Sequence, residues 1–184
     1  KKNKIIVIQP FGRGAEKKSE SEVVDLTGRS IELQNLWSII KKLSKQYGVI
    51  VMSEFGLEFK THGGINQPVA LPLQTHIRIW AAIIKQVDHF VGCDSVGQHI
   101  AYAFDKTITV LSGSTFPVNT SFPDKDHVDI IDVGKDSRIY SPIRITQDEY
   151  SDRLNEGIME MDKNQEEKVV NSVNFMIKHK HKKK

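Results

Sequence analysis

The chain has 184 residues, 39% of them hydrophobic and 27% charged, with a net charge of +3 and a single cysteine. Such a chain can bury one core of ordinary domain size, but it has no internal disulfide and no apolar run long enough for a membrane-spanning helix. Much of the positive excess lies in "KKNK" at the start and "KHKHKKK" at the end, so the body lacks the broad basic surface that grips nucleic acid.

In chain order, "IIVIQ" (5–9) reads as a short buried strand. The polar stretch 10–30, "PFGRGAEKKSESEVVDLTGRS", reads as a long loop. Ser30 is a candidate cap for the next helix, with Glu32 in its first turn. Ile31, Leu36, Ile39, Ile40 and Leu43 give that helix an apolar face at three- and four-residue spacing, and Gly48 ends it. "VIVMS" (49–53) and a very short "PVALP" (68–72) follow as strands. Thr75 is placed to cap a helix carrying Ile77, Trp80, Ala81, Ile84 and Val87. "HFVGC" (89–93) is a fourth strand, 96–104 a short helix, "TITVLS" (107–112) a fifth strand and "VDIID" (128–132) a sixth. After "YSPIRI" (140–145), residues 147–178 read as helical and highly charged, in two segments broken near Asp162 to Asn164. The expected division is therefore a domain at 1–146, a helical extension at 147–178 and a basic tail at 179–184.

Strands that are apolar throughout and alternate with amphipathic helices predict an α/β, Rossmann-like, doubly wound parallel sheet. No GxGxxG follows the first strand, so the dinucleotide fingerprint is missing. No signal-peptide pattern opens the sequence. Together with the lone cysteine, this makes a reducing, cytoplasmic setting the expectation. There is no initiator methionine and strand-like sequence starts at once, which reads as a piece of a longer protein.

The most informative stretch is "FVGCDSVGQHIAYAF" (90–104), where a buried strand hands over to a helix. Ligands of open parallel sheets bind beyond the carboxyl ends of the strands, and the first turn of a helix offers free N–H groups and partial positive charge to an anion. Ser95 and the amides of Val96 and Gly97 suit a phosphate, with Gly97 allowing close backbone approach. Asp94 suits sugar hydroxyls. Gln98 and His99 share the same first turn, and His99 can brace the mouth. Phosphate beside polyol describes a nucleotide sugar. Capping alone explains Asp94 and Ser95 about as well.

The run "HFVGCDSVGQHIAYAFDKTITVLSGST" resembles the signature segment of the heptosyltransferase-like glycosyltransferases of family 9 type. The matching residues are Asp94, Ser95, His99, Ala101, Ala103, Lys106, Gly113, Ser114 and Thr115. Val96 stands where the pattern has glycine, and Thr107 where it has proline. The resemblance implies two Rossmann-like domains facing across a cleft, of which this chain is the C-terminal, donor-binding one. It implies inverting, metal-independent transfer of a sugar, a heptose among the candidates, from a nucleoside diphosphate to a glycan or lipopolysaccharide-like acceptor. The nucleotide sugar is substrate, and no cofactor is implied. The acceptor-binding domain, in the same or another chain, would carry the general base, so no catalytic residue is assigned here. The resemblance also makes residues 147–178 a helix that crosses to that domain.

Other segments fit a donor site. Gly12, Arg13, Lys17 and Lys18 follow the first strand, and Arg29 precedes the next helix. A diphosphate needs at least one such cation; Lys17 or Lys18, with Arg29, are favoured. Glu54 and Glu58 follow the second strand, where a carboxylate accepts ribose hydroxyls. Ser114 and Thr115 follow the fifth strand, within reach of phosphate. Cys93 reads as a small buried residue. No metal-ligand cluster is seen, and His179 and His181 lie among lysines that repel cations. A non-catalytic nucleotide-sugar-binding module of a larger assembly remains the alternative reading.

Overall fold

The structure is a computed structural model that describes residues 4–25, 27–73, 76–134 and 158–179. Six parallel strands form its sheet: β1 (Ile5–Gln9), β4 (Gly48–Val51), β5 (Val69–Ala70), β6 (His89–Cys93), β7 (Thr107–Ser112) and β8 (Val128–Asp132). Their order across the sheet is β5-β4-β1-β6-β7-β8. The chain winds outward from β1 to one edge, returns, and winds outward again from β6. This is the doubly wound α/β arrangement that the continuous apolar strands predict.

Side chains alternate between two layers. Ile6 and Ile8 of β1, Val91 and Cys93 of β6, and Leu111 of β7 face α1 (Leu33–Leu43) and α5 (Lys163–His179). Val7, Phe90, Ile108 and Val110 face α2 (Ile77–Gln86) and α3 (Val96–Ala103). Both faces are covered, which is why the strands show no polar alternation. A short helix, α4 (Pro117–Thr120), not expected from the sequence, follows β7.

Several boundaries differ from the sequence reading. Residues 15–25 are not loop but an antiparallel hairpin, β2 (Ala15–Ser19) and β3 (Glu22–Asp25). Its charged residues mask the strand pattern; Val23 turns inward to join the core. Ser30 does not cap α1. Its hydroxyl is buried against Asp25, and Glu32 accepts from the Asn35 amide instead, at 3.0 Å. Ile31 precedes that helix and pairs with Met159. Gly48 opens β4 rather than closing α1, which ends at Leu43. Thr75 lies outside the described residues, and the ring nitrogen of His76 accepts from the Arg78 amide. The expected break near Asp162 to Asn164 is where α5 starts: Asp162 and Gln165 each accept the other's backbone N–H, a capping box. The stretch 140–145, the helical reading of 147–157 and the tail beyond His179 fall outside the described residues. No helix among the described residues is long and apolar enough to cross a membrane.

Candidate functional site

The strand order reverses between β1 and β6, so the loops leaving their carboxyl ends diverge and open a crevice. A cleft of about 200 Å³ lies there. The loop after β1 supplies Phe11, Gly12 and Arg13, the loop after β4 supplies Ser53, Glu54 and Phe55, and the start of α3 supplies Ser95 and Val96. Of the residues proposed from sequence, Gly12, Arg13, Glu54, Ser95 and Val96 are thus brought together.

Gln9, the last residue of β1, forms the floor. Its Nε2 donates to Ser95 Oγ at 3.0 Å, while its Oε1 is buried with no partner among the described residues. Ser95 precedes α3 without capping it through its side chain. The first N–H groups of the helix therefore keep their capacity for an external acceptor. Arg13 and Glu54 are exposed at the mouth, one a donor for anions and the other an acceptor for hydroxyls. Phe11 and Phe55 pack with ring centres 4.9 Å apart, and with Trp80 they supply an apolar wall.

Other proposed residues serve the scaffold. Asp94 is buried, and its two oxygens accept from Gln98 Nε2 at 3.0 Å and Thr115 Oγ1 at 2.7 Å. It is turned inward to these donors and does not line the cleft. Gln98 is fully buried, also donating to the Thr120 carbonyl and accepting from Ser121 Oγ. Together Asp94, Gln98 and Thr115 clamp the loop after β7 to the start of α3. Gly97 is buried as well; the groups approaching it are Gln9 and the Phe90 ring. His99 is exposed and turned against Phe122, with ring centres 5.5 Å apart. It does not line the cleft.

The basic residues separate in the same way. Lys17 Nζ donates to Glu20 and to the Gly56 carbonyl, and Lys18 pairs with Glu16 on the outside of the hairpin. Glu58 accepts from Thr61 and lies outside the cleft. Arg29 does not line the cleft itself but adjoins Gly12, which does: a methyl group on Gly12 would meet Arg29 Cβ at 3.3 Å. Ser114 is buried with its hydroxyl unpaired among the described residues. Cys93 is fully buried. Burial first, and the Asp94 charge second, push its thiol far above the range of a nucleophile, while Arg29 pulls in the opposite direction. No cluster of three or more His, Cys, Asp or Glu placed to hold a metal occurs among the described residues.

Sequence reasoning missed Gln9, Ser53, Phe55 and Trp80 as lining residues. Gln9 and Ser53 had a usable signal, as polar residues closing apolar runs at the carboxyl end of a parallel strand. Trp80 had none, since its spacing marks it only as part of an apolar helix face.

No family model and no curated protein matches the sequence. Solved structures do match. The ADP-heptose lipopolysaccharide heptosyltransferase II of E. coli aligns with a TM-score of 0.59 at 13% identity, covering 96% of this chain and 47% of that one. A family 9 glycosyltransferase from Veillonella parvula aligns at 0.56 and 10% identity, covering 95% and 46%. The E. coli heptosyltransferase WaaC, solved with ADP, aligns at 0.53 and 11% identity, covering 74% and 41%. The chain therefore has the α/β fold of the heptosyltransferase-like glycosyltransferases, and it spans less than half the length of each of these structures.

Proposed function

We propose that the chain binds a nucleoside-diphosphate sugar and forms the donor half of a glycosyltransferase. The observation that carries this is the cleft at the strand-order reversal, where an uncapped helix start, a cation and a carboxylate converge beside an apolar wall. The diphosphate lies against the first turn of α3, with Arg13 and Arg29 supplying positive charge. Glu54 accepts from ribose hydroxyls, and the base rests on the apolar wall. ADP and a heptose are the preferred nucleotide and sugar, because proteins of this fold include an ADP-heptose lipopolysaccharide heptosyltransferase and a heptosyltransferase solved with ADP.

In such a transfer an acceptor hydroxyl attacks the anomeric carbon in line and the nucleoside diphosphate departs. The positive end of α3 and the two arginines stabilise the charge that grows on the leaving group. The base that takes the acceptor proton, and the glycan or lipopolysaccharide-like acceptor itself, belong to an acceptor-binding domain in the same or another chain.

Calorimetric titration with ADP, UDP, GDP and CDP tests the reading. ADP binds most tightly, and Arg13→Ala and Glu54→Ala each weaken it about tenfold while leaving thermal unfolding near that of the parent, since both side chains are exposed. A folded protein that binds none of the four nucleotides refutes the donor-site assignment.

A further inference from the structure

Asp25, at the end of β3, has a buried carboxylate and no cation within ion-pair distance among the described residues. Burying an unpaired charge is costly, and here it is met by three donors from one short loop. Oδ1 accepts from the Thr27 amide at 2.7 Å and from Thr27 Oγ1 at 2.5 Å. Oδ2 accepts from Ser30 Oγ. Each hydroxyl, having given its proton to Asp25, turns a lone pair outward. Thr27 Oγ1 accepts from Arg29 Nε at 3.5 Å, and Ser30 Oγ accepts from the Gly12 amide at 2.9 Å. The carboxylate also fixes Gly14, where a methyl group would fall 2.8 Å from Oδ1.

We propose that Asp25 is a positioning residue for donor binding: through Thr27 it aims Arg29, and through Ser30 it holds the Gly12 loop that walls the cleft. The inference rests on the donor-site reading and names a residue that reading does not use. The relay has a fixed direction, because a carboxylate only accepts and so forces both hydroxyls to donate inward. It occupies Nε and leaves the two terminal amino groups of the guanidinium, the pair that makes a bidentate contact with phosphate. An amide at position 25 breaks the pattern. With its NH2 toward Ser30, that hydroxyl receives two donors and its own proton loses its acceptor.

The test is ADP titration of the full chain and of Asp25→Asn, Thr27→Val, Thr27→Ser, Arg29→Ala and the Thr27→Val/Arg29→Ala pair, with thermal unfolding measured beside each. Thr27→Val keeps the shape and loses the relay, and is expected to weaken ADP binding about tenfold, as Asp25→Asn does. Thr27→Ser restores the hydroxyl and recovers most of the loss. In the Arg29→Ala background Thr27→Val has no further effect, because the relay acts through that arginine. If Asp25→Asn fails to fold, the Thr27 and Arg29 variants decide alone. A parent protein that binds none of ADP, UDP, GDP and CDP removes the donor-site reading and this inference with it, and where it binds another of the four more tightly than ADP the variants are titrated with that one. Binding by the parent with unchanged affinity in folded Thr27→Val, or with an additive loss in the pair, overturns the inference and leaves the donor site standing.

Discussion

A methyl group at Gly97 would lie 2.0 Å from Gln9 Oε1 and 2.7 Å from the Phe90 ring. Gly97→Ala must therefore displace the cleft floor and strain the core under α3, with an expected loss of about 1–3 kcal/mol in urea unfolding. Asp94 tests the same corner from the other side. Asp94→Ala removes the buried carboxylate that Gln98 Nε2 and Thr115 Oγ1 share as an acceptor, at a cost of about 1–3 kcal/mol. Thermal unfolding of that variant should fall clearly. A residue whose work is to contact a sugar would lower affinity and leave stability untouched. The sequence shows that Asp94 and Ser95 stand at a strand end, and it shows no more than that, because an aspartate at such a corner can turn outward to a ligand or inward to its own loops. The choice depends on Gln98 and Thr115, and Thr115 is 21 residues away.

At the scale of elements, α1 and α5 are joined by a polar contact inside an apolar layer. Asn35 of α1 donates to the Met161 carbonyl and accepts from its amide, and Glu166 of α5 accepts from Asn35, Ser38 and Lys42. Burial pushes the Glu166 carboxyl up, but the donors from Ser38, Asn35 and Lys42 outweigh it and hold it below its ordinary value of 4.5. A group whose pKa is lowered by folding adds stability above its unfolded pKa, and that stability is lost as pH falls through the folded value. The α1–α5 contact should weaken progressively below about pH 4.5. Glu166→Gln removes this part of the acid dependence and lowers stability at neutral pH, which urea titrations at pH 7 and pH 4 will show. Strands β1, β6 and β7 were legible because burial on both faces leaves a largely apolar run. The β2–β3 hairpin was not, since only Val23 of its residues is a buried hydrophobic and the rest of "AEKKSESEVVD" has the composition of a loop.

For the whole molecule, the sheet order places the cleft while the helices decide whether the sheet survives. The reversal between β1 and β6 follows from six strands laid down in two outward runs, and the sequence carried enough of their pattern to put Ser95 at the end of β6, beside the cleft, while Asp94 next to it turns inward. The sequence reading set residues 147–178 apart as a helical extension of the domain at 1–146, yet α5 packs into the core layer with α1 and β7. Its Val169, Val173, Met176 and Ile177 are buried, and its Ser172 hydroxyl meets Thr109 of β7 at 2.7 Å. Thr109 in turn meets the buried His89 at 3.0 Å. Four such side chains are worth about 1.5–3 kcal/mol each, which together rivals the about 5–15 kcal/mol that holds a domain folded. Ending the chain at residue 162 should therefore abolish cooperative unfolding, measured by circular dichroism against urea, rather than leave a smaller stable nucleotide-binding domain. Exposure of Val91, Leu111 and Ile131 should make the shortened chain aggregate. If the shortened chain instead unfolds cooperatively and still binds ADP, α5 is an extension packed against a finished domain, and the stabilising layer over that face is α1 alone.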